Sequence, residues 1–189
     1  LAWAQADTDG ERNRQVALLR SYLRLADEDT APPRPRLIIT HGVSGSGKST
    51  RARALVDGGA IALRSDVERK RLAGIALEER MPAGGYTPEA SARVYAAMLE
   101  RAERLLRAGH SVVLDAVFAK PEERGAAEAL GRRLSVPFHG LWLDIPKDVA
   151  QARVAERQGD ASDATPAVVE RQFSYALGDI SWERRRSGA

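Results

Sequence analysis

The chain has 189 residues, 43% hydrophobic and 29% charged, with Lys+Arg 29 against Asp+Glu 26. That is a domain's worth of chain with enough apolar material for a core, which excludes a long disordered region, a collagen-like fibre and a coiled-coil rod. Cysteine is absent, which excludes a disulfide framework, a thiol nucleophile and a Cys-ligated metal.

The first ten residues, LAWAQADTDG, carry neither the basic n-region nor the apolar h-region of a secretory signal. They also lack an initiator Met, as expected of a piece excised from a longer chain. No apolar run approaches the ~18 residues that span a bilayer, so no membrane partner is expected and the cytoplasm is the expected compartment. Over 11–25, ERNRQVALLRSYLRL places Val16, Leu19 and Leu23 on one helical face. The next stretch, ADEDTAPPRPR, is acidic and then Pro-rich and reads as a linker. The expected organisation is a leading helix with a Pro-rich linker over 1–35 and one main domain over 36–189.

The main domain alternates between short apolar runs and helical stretches. Short apolar runs at 36–40 (RLIIT), 60–63 (AIAL), 111–114 (SVVL) and 138–143 (FHGLWL) read as buried strands. Helices are expected over 48–56, 67–72, 88–108, 121–134, 147–157 and 166–177. Thr87-Pro88 and Thr165-Pro166 each supply an N-cap followed by Pro at the first helical position. Val94, Met98, Ala102 and Leu105 should form the buried stripe of the third helix. Near 180–183 a short edge strand is expected. Strand and helix in alternation predict an α/β fold with a parallel sheet and helices on both faces.

The strongest chemical signal is Gly42-Val43-Ser44-Gly45-Ser46-Gly47-Lys48-Ser49, followed by Thr50. It fits GxxxxGK[ST] between an apolar run and a helical stretch. Gly42, Gly45 and Gly47 let the backbone N–H groups of the loop, Ser44 and Ser46 included, approach phosphate oxygens at a helix N-terminus. Lys48 would reach the β- and γ-phosphates, and the Ser49 hydroxyl would ligate Mg²⁺.

Strand ends carry the remaining candidates, because ligands of open parallel sheets bind at the C-terminal ends of the strands. Asp66 follows the second strand, where it either accepts a proton from an attacking hydroxyl or simply favours the helix dipole beside a Ser65-x-x-Glu68 capping box. Arg69, one turn on, could hold an anionic part of an acceptor. Asp115 ends the third strand either as a Mg²⁺-site carboxylate or as a turn residue. Asp144 reads as an ordinary helix start. Arg153 and Arg157 share a helix face before the polar segment 158–164, as lid arginines or as a solvated face, with Asp163 orienting one of them or merely solvated. Arg124 is a weaker candidate for acceptor contact.

These motifs together have a familiar look. GVSGSGKST, RSDVERKRL, HSVVLDAVF and RVAERQGDASDA resemble the P-loop kinases that include polynucleotide 5′-hydroxyl kinase, gluconate kinase and chloramphenicol phosphotransferase. The sequence is most similar to the kinase-like ATP-binding domain found C-terminal to aminoglycoside-phosphotransferase-like domains, over roughly residues 36–177. The resemblance implies a P-loop NTPase three-layer sandwich with strand order 2-3-1-4-5, ATP and Mg²⁺ as cofactors, and an N-terminal partner domain in the parent chain. By motif position it makes Asp66 the general base, Arg69 an acceptor residue, and Arg153 and Arg157 the lid arginines over 158–164. It also places Asp115 beside the Mg²⁺ and the acceptor. Members of this group usually end in a further strand and helix, which SWERRRSGA does not obviously supply.

The expected function is therefore ATP- and Mg²⁺-dependent transfer of the γ-phosphate to a hydroxyl of a small molecule or polynucleotide. The alternative is an ATP-binding regulatory or switch domain of a larger protein. A nucleic-acid-binding module is disfavoured, since the arginines are scattered and aromatics are only 5% of the chain.

Overall fold

A computed structural model of the chain describes residues 9–30, 34–156 and 160–186. The chain divides into two units, Leu1–Pro33 and Arg34–Ala189. In the first, α1 runs Asp9–Thr30, longer than the sequence suggested. The stretch ADEDT, expected to open the linker, instead continues the helix. Its Ala, Asp and Glu are compatible with helix, and the first residues that forbid it are Pro32 and Pro33. Val16, Leu18, Leu19 and Tyr22 of α1 are exposed.

In the second unit, central strands buried on both faces set the architecture. β1 (Leu37–His41), β2 (Ile61–Arg64), β3 (Val112–Asp115), β4 (Phe138–Asp144) and β5 (Glu183–Arg186) form one sheet in the order β2-β3-β1-β4-β5. Every pairing is parallel. Leu37, Ile39, Leu63, Val112 and Leu114 face one side, against Val94, Met98, Ala102 and Leu106 of α4 (Pro88–Arg107) and Ala127 and Leu130 of α5 (Pro121–Leu134). The intervening Ile38 and Val113 face the other side, against Ala52 of α2 (Lys48–Asp57). A third cluster, Ile145, Ala150, Val154 and Val169, joins α6 (Lys147–Ala155) to α7 (Pro166–Phe173). This is the three-layer P-loop NTPase fold with the expected strand order. α3 (Ser65–Ala73) follows β2 directly.

Four local expectations need correction. Leu106, not Leu105, completes the buried stripe of α4. A 3₁₀ turn at Ala83–Tyr86 precedes α4 and had no signal in the sequence pattern. α7 ends at Phe173, short of Leu177, and the Leu177 carbonyl is taken instead by Arg124. The edge strand starts at Glu183, because Trp182 is otherwise engaged. Its ring lies against Gly140, where a Cβ would sit 2.2 Å from it, and its Nε1–H donates to Glu128 at 2.9 Å. Beyond it, Arg184 covers the Trp142 ring at 4.4 Å and pairs with Asp144 at 2.8 Å. Asp144 therefore pins the edge strand.

Candidate active site

The loop between β1 and α2 approaches its neighbours so closely that side chains do not fit. Gly45 has φ +85, and a Cβ on it would lie 2.5 Å from the Ala150 carbonyl oxygen. Gly42 has φ +145, and its Cβ would meet the Leu143 carbonyl oxygen at 2.5 Å. Ser46 tucks beneath Gly42, fully buried, with its hydroxyl unpaired among the described atoms. Lys48 is buried and its Nζ donates to the Val43 carbonyl at 2.8 Å. The Ser44 N–H donates to the side-chain oxygen of Gln172 on α7 at 2.7 Å.

Parallel register brings the strand-end groups together. Asp115 is 4% exposed on its side chain. Its Oδ2 accepts from the Ser49 hydroxyl at 2.7 Å and lies 3.4 Å from Arg64 Nε. Arg64 Nη2 in turn pairs with Asp160 at 2.6 Å. One hydroxyl and one carboxylate are hard oxygen donors of the kind Mg²⁺ takes. Among the described residues no cluster of three or more His, Cys, Asp or Glu could hold a metal unaided. The pair thus suits a cation whose remaining ligands arrive with a phosphate.

The opposite wall comes from α3 and the segment before α4. Asp66 stands in the first turn of α3 and shares one cleft, about 640 Å³, with Lys48, Ser49, Thr50, Arg69 and Asp115. The capping box expected of Ser65 and Glu68 does not form. Arg64 is the N-cap, and Glu68 is committed to Arg71 and Arg101, each at 2.6 Å. Burial pushes the Asp66 carboxyl above its usual range, against the opposing pull of the Ser162 hydroxyl, Lys48 and Arg64. Arg69 is buried, donates to the Gly85 carbonyl at 2.5 Å and to Ser91 at 3.3 Å, and lies 5.0 Å from the Tyr86 ring centre. Glu123 of α5 also lines the cleft, its carboxyl raised by burial.

Among the described residues Asp163 pairs with no arginine. It accepts from the Met81 N–H at 2.9 Å and the Tyr86 hydroxyl at 3.1 Å, and lies 3.5 Å from Lys70 Nζ. It therefore fastens the end of the 158–164 segment to the wall carrying Tyr86. Arg153, exposed on α6, points Nη1 at the Gly45 carbonyl at 3.4 Å. Arg157 and the first residues of the expected lid, 158 and 159, lie outside the described residues.

Arg124 is not brought to the cleft. It is buried, with Nη1 donating to the Phe118 and Ala119 carbonyls at 3.0 and 2.8 Å and Nη2 to that of Leu177. Phe118 holds the left-handed φ of 48, which a bulky residue adopts only when its surroundings impose it. Here they do. Its N–H donates to the Tyr95 hydroxyl at 3.1 Å, and its carbonyl meets Arg124 and His41 Nδ1. The loop after Asp115 is thereby fixed, and Arg124 serves it as a structural clamp. Sequence reasoning missed Arg64, Asp160 and Gln172. Arg64 could have been found by the strand-end rule that found Asp66, whereas Asp160 and Gln172 carry no local signal.

Comparisons with known proteins bear on the family and the fold. A protein of Mycobacterium tuberculosis described as uncharacterized is 32% identical over 182 residues, covering 88% of this chain and 36% of its own length. A Mycobacterium bovis protein matches to the same extent. The chain thus spans about a third of the length of the curated relatives it matches. Among solved structures, the Mycobacterium tuberculosis APS kinase CysC in complex with AMPPNP and APS is 25% identical with TM-score 0.54, covering 66% of this chain and 71% of that one. A gluconokinase from Sinorhizobium meliloti 1021 shares the fold at 20% identity and TM-score 0.57, covering 82% and 85%. A family model described as AAA domain matches residues 37–176, and the chain belongs to that AAA domain family, with a P-loop kinase-like fold.

Proposed function

We propose that the domain is an ATP- and Mg²⁺-dependent phosphotransferase that moves the γ-phosphate of ATP to a hydroxyl of a small molecule or polynucleotide. The observation that carries this reading is Asp66. It lines the same cleft as Lys48 and the Ser49–Asp115 pair, it has no cap to form, and its carboxyl is raised by burial. A nucleotide switch has no need of such a base, whereas hydroxyl transfer does.

Ser49 and Asp115 would hold Mg²⁺, which would supply positive charge to offset that of the phosphates. The loop N–H groups and Lys48 position the triphosphate. Arg69, steadied by Gly85, Ser91 and Tyr86, orients the acceptor. The acceptor hydroxyl loses its proton to the Asp66 carboxylate as its oxygen bonds to the γ-phosphorus. The bond from that phosphorus to the β-phosphate oxygen breaks, and ADP leaves. Arg153 and Arg157 are assigned to charge stabilisation from the lid side, following the resemblance.

The share of the relatives' length that the chain spans favours one second reading, an ATP-binding regulatory domain of a longer protein, with an aminoglycoside-phosphotransferase-like domain as the proposed neighbour. The discriminating experiment screens sugars, aminoglycosides, nucleosides and 5′-hydroxyl oligonucleotides for ADP release. Release stimulated by one class supports the transferase. Tight ATP binding with no stimulated release across the whole panel supports the regulatory reading.

A further inference from the structure

A buried carboxylate needs a counter-charge, and at Asp115 that charge is Arg64. Register pairs the two residues directly across β2 and β3, so the sheet itself holds them together. The Asp115 oxygen that accepts from Ser49 is the one that faces Arg64 Nε, at 3.4 Å. The other arm of the guanidinium reaches Asp160, just beyond α6, at 2.6 Å. Arg64 is 26% exposed and Asp160 25%, which leaves the guanidinium room to move between them.

Resting on the reading of Ser49 and Asp115 as the metal site, we propose that Arg64 is a positioning residue that occupies the counter-charge place of the divalent cation at Asp115 and withdraws onto Asp160 when the cation enters. Two cations cannot share one carboxylate oxygen without repulsion. The cation alone therefore binds weakly, and it binds firmly only when phosphate oxygens complete its shell. The same withdrawal transmits metal occupancy to the 160–164 segment. That segment also holds Asp163 on the Tyr86 wall, so nucleotide loading and the acceptor wall are linked through a single guanidinium.

The test uses Mn²⁺ as the probe, titrated without nucleotide and followed by its paramagnetic resonance signal. Arg64→Gln should tighten Mn²⁺ binding about tenfold, the scale of one unit of 1.4 kcal/mol. Asp160→Asn should weaken it a few-fold in the parent background, because Arg64 loses its second seat, and should have no effect in the Arg64→Gln background. Additive effects would mean that both residues act merely as nearby charges and would overturn the proposal, as would an unchanged affinity in Arg64→Gln. A second measurement needs no variant. Hydrogen exchange over 160–164 should differ between ADP with Mn²⁺ and ADP in EDTA, and identical exchange counts against the relay. Asp115→Asn separates the two levels. If it leaves Mn²⁺·ADP binding intact, the metal-site reading fails and the relay fails with it. If it abolishes that binding while the Arg64 cycle is additive, the relay alone fails.

Discussion

Replacing Arg124 by Met should cost the fold more than it costs nucleotide affinity. The guanidinium satisfies the carbonyls of Phe118, Ala119 and Leu177, and Met fills similar volume without a donor. Hydrogen bonds to a charged group contribute roughly 1.5–3 kcal/mol each. These three share one group and do not add fully, so a loss of about 3–5 kcal/mol is expected. With a urea slope of about 2 kcal/mol/M, the denaturation midpoint should fall by roughly 2 M. The melting temperature should fall by roughly 10 °C. Phe118 would also be freed to leave its left-handed conformation, loosening the loop that follows Asp115. The assay is urea denaturation of parent and variant, paired with ATP titration in the folded baseline. A midpoint within about 0.2 M of the parent, with acceptor turnover lost, would refute the clamp and return Arg124 to acceptor contact.

Gly45→Ala should weaken nucleotide binding at least tenfold in a titration. Its Cβ would meet the Ala150 carbonyl oxygen at 2.5 Å in a left-handed backbone, a strain of about 1–3 kcal/mol; parent-like affinity would contradict the close approach. His41 gives a pH dependence of definite sign. Burial lowers its pKa from 6.5 to about 4, so the unfolded chain binds its proton first and stability falls as pH drops from 6.5 toward 4. Between pH 7.5 and 5 this amounts to about 2 kcal/mol. Asp66 and Glu123, both raised by burial, act in the opposite direction. The comparison is therefore denaturation at each pH against His41→Asn, which should lack this component; equal pH slopes would remove the buried neutral histidine from the account.

The sheet and the phosphate loop were legible because both are local. Short continuous apolar runs such as Leu37–Ile39 and the glycine spacing from Gly42 to Gly47 need no distant partner to be read. Asp66 and Asp115 were legible one step further, since strand-end position in a parallel sheet sends both to the same edge. What was not legible is long-range pairing. Asp163 read as either an arginine partner or a solvated turn residue, and its bonds to Met81 and Tyr86, some eighty residues away, had no local signal. Arg124 looked like a cleft residue because the burial of a helical arginine depends on what folds over it, here the 116–119 loop and Leu177. The edge strand was misplaced by three residues because Trp182 finds its seat on Gly140, a contact invisible to periodicity.

If Asp66 accepts the proton of an acceptor hydroxyl, the Asp66→Asn variant should separate nucleotide binding from phosphoryl transfer. The amide keeps the shape and loses the proton acceptor. Nucleotide affinity by titration should stay within a few-fold, since the phosphate loop and Lys48 are untouched. Transfer to the acceptor identified in the screen should fall by roughly 10²–10⁴, the usual worth of a general base. In the parent, transfer should also decline as pH falls through the raised pKa of this carboxyl, and the residual activity of the variant should not follow that decline. Parent-like transfer in Asp66→Asn would contradict the account and leave the regulatory reading in its place.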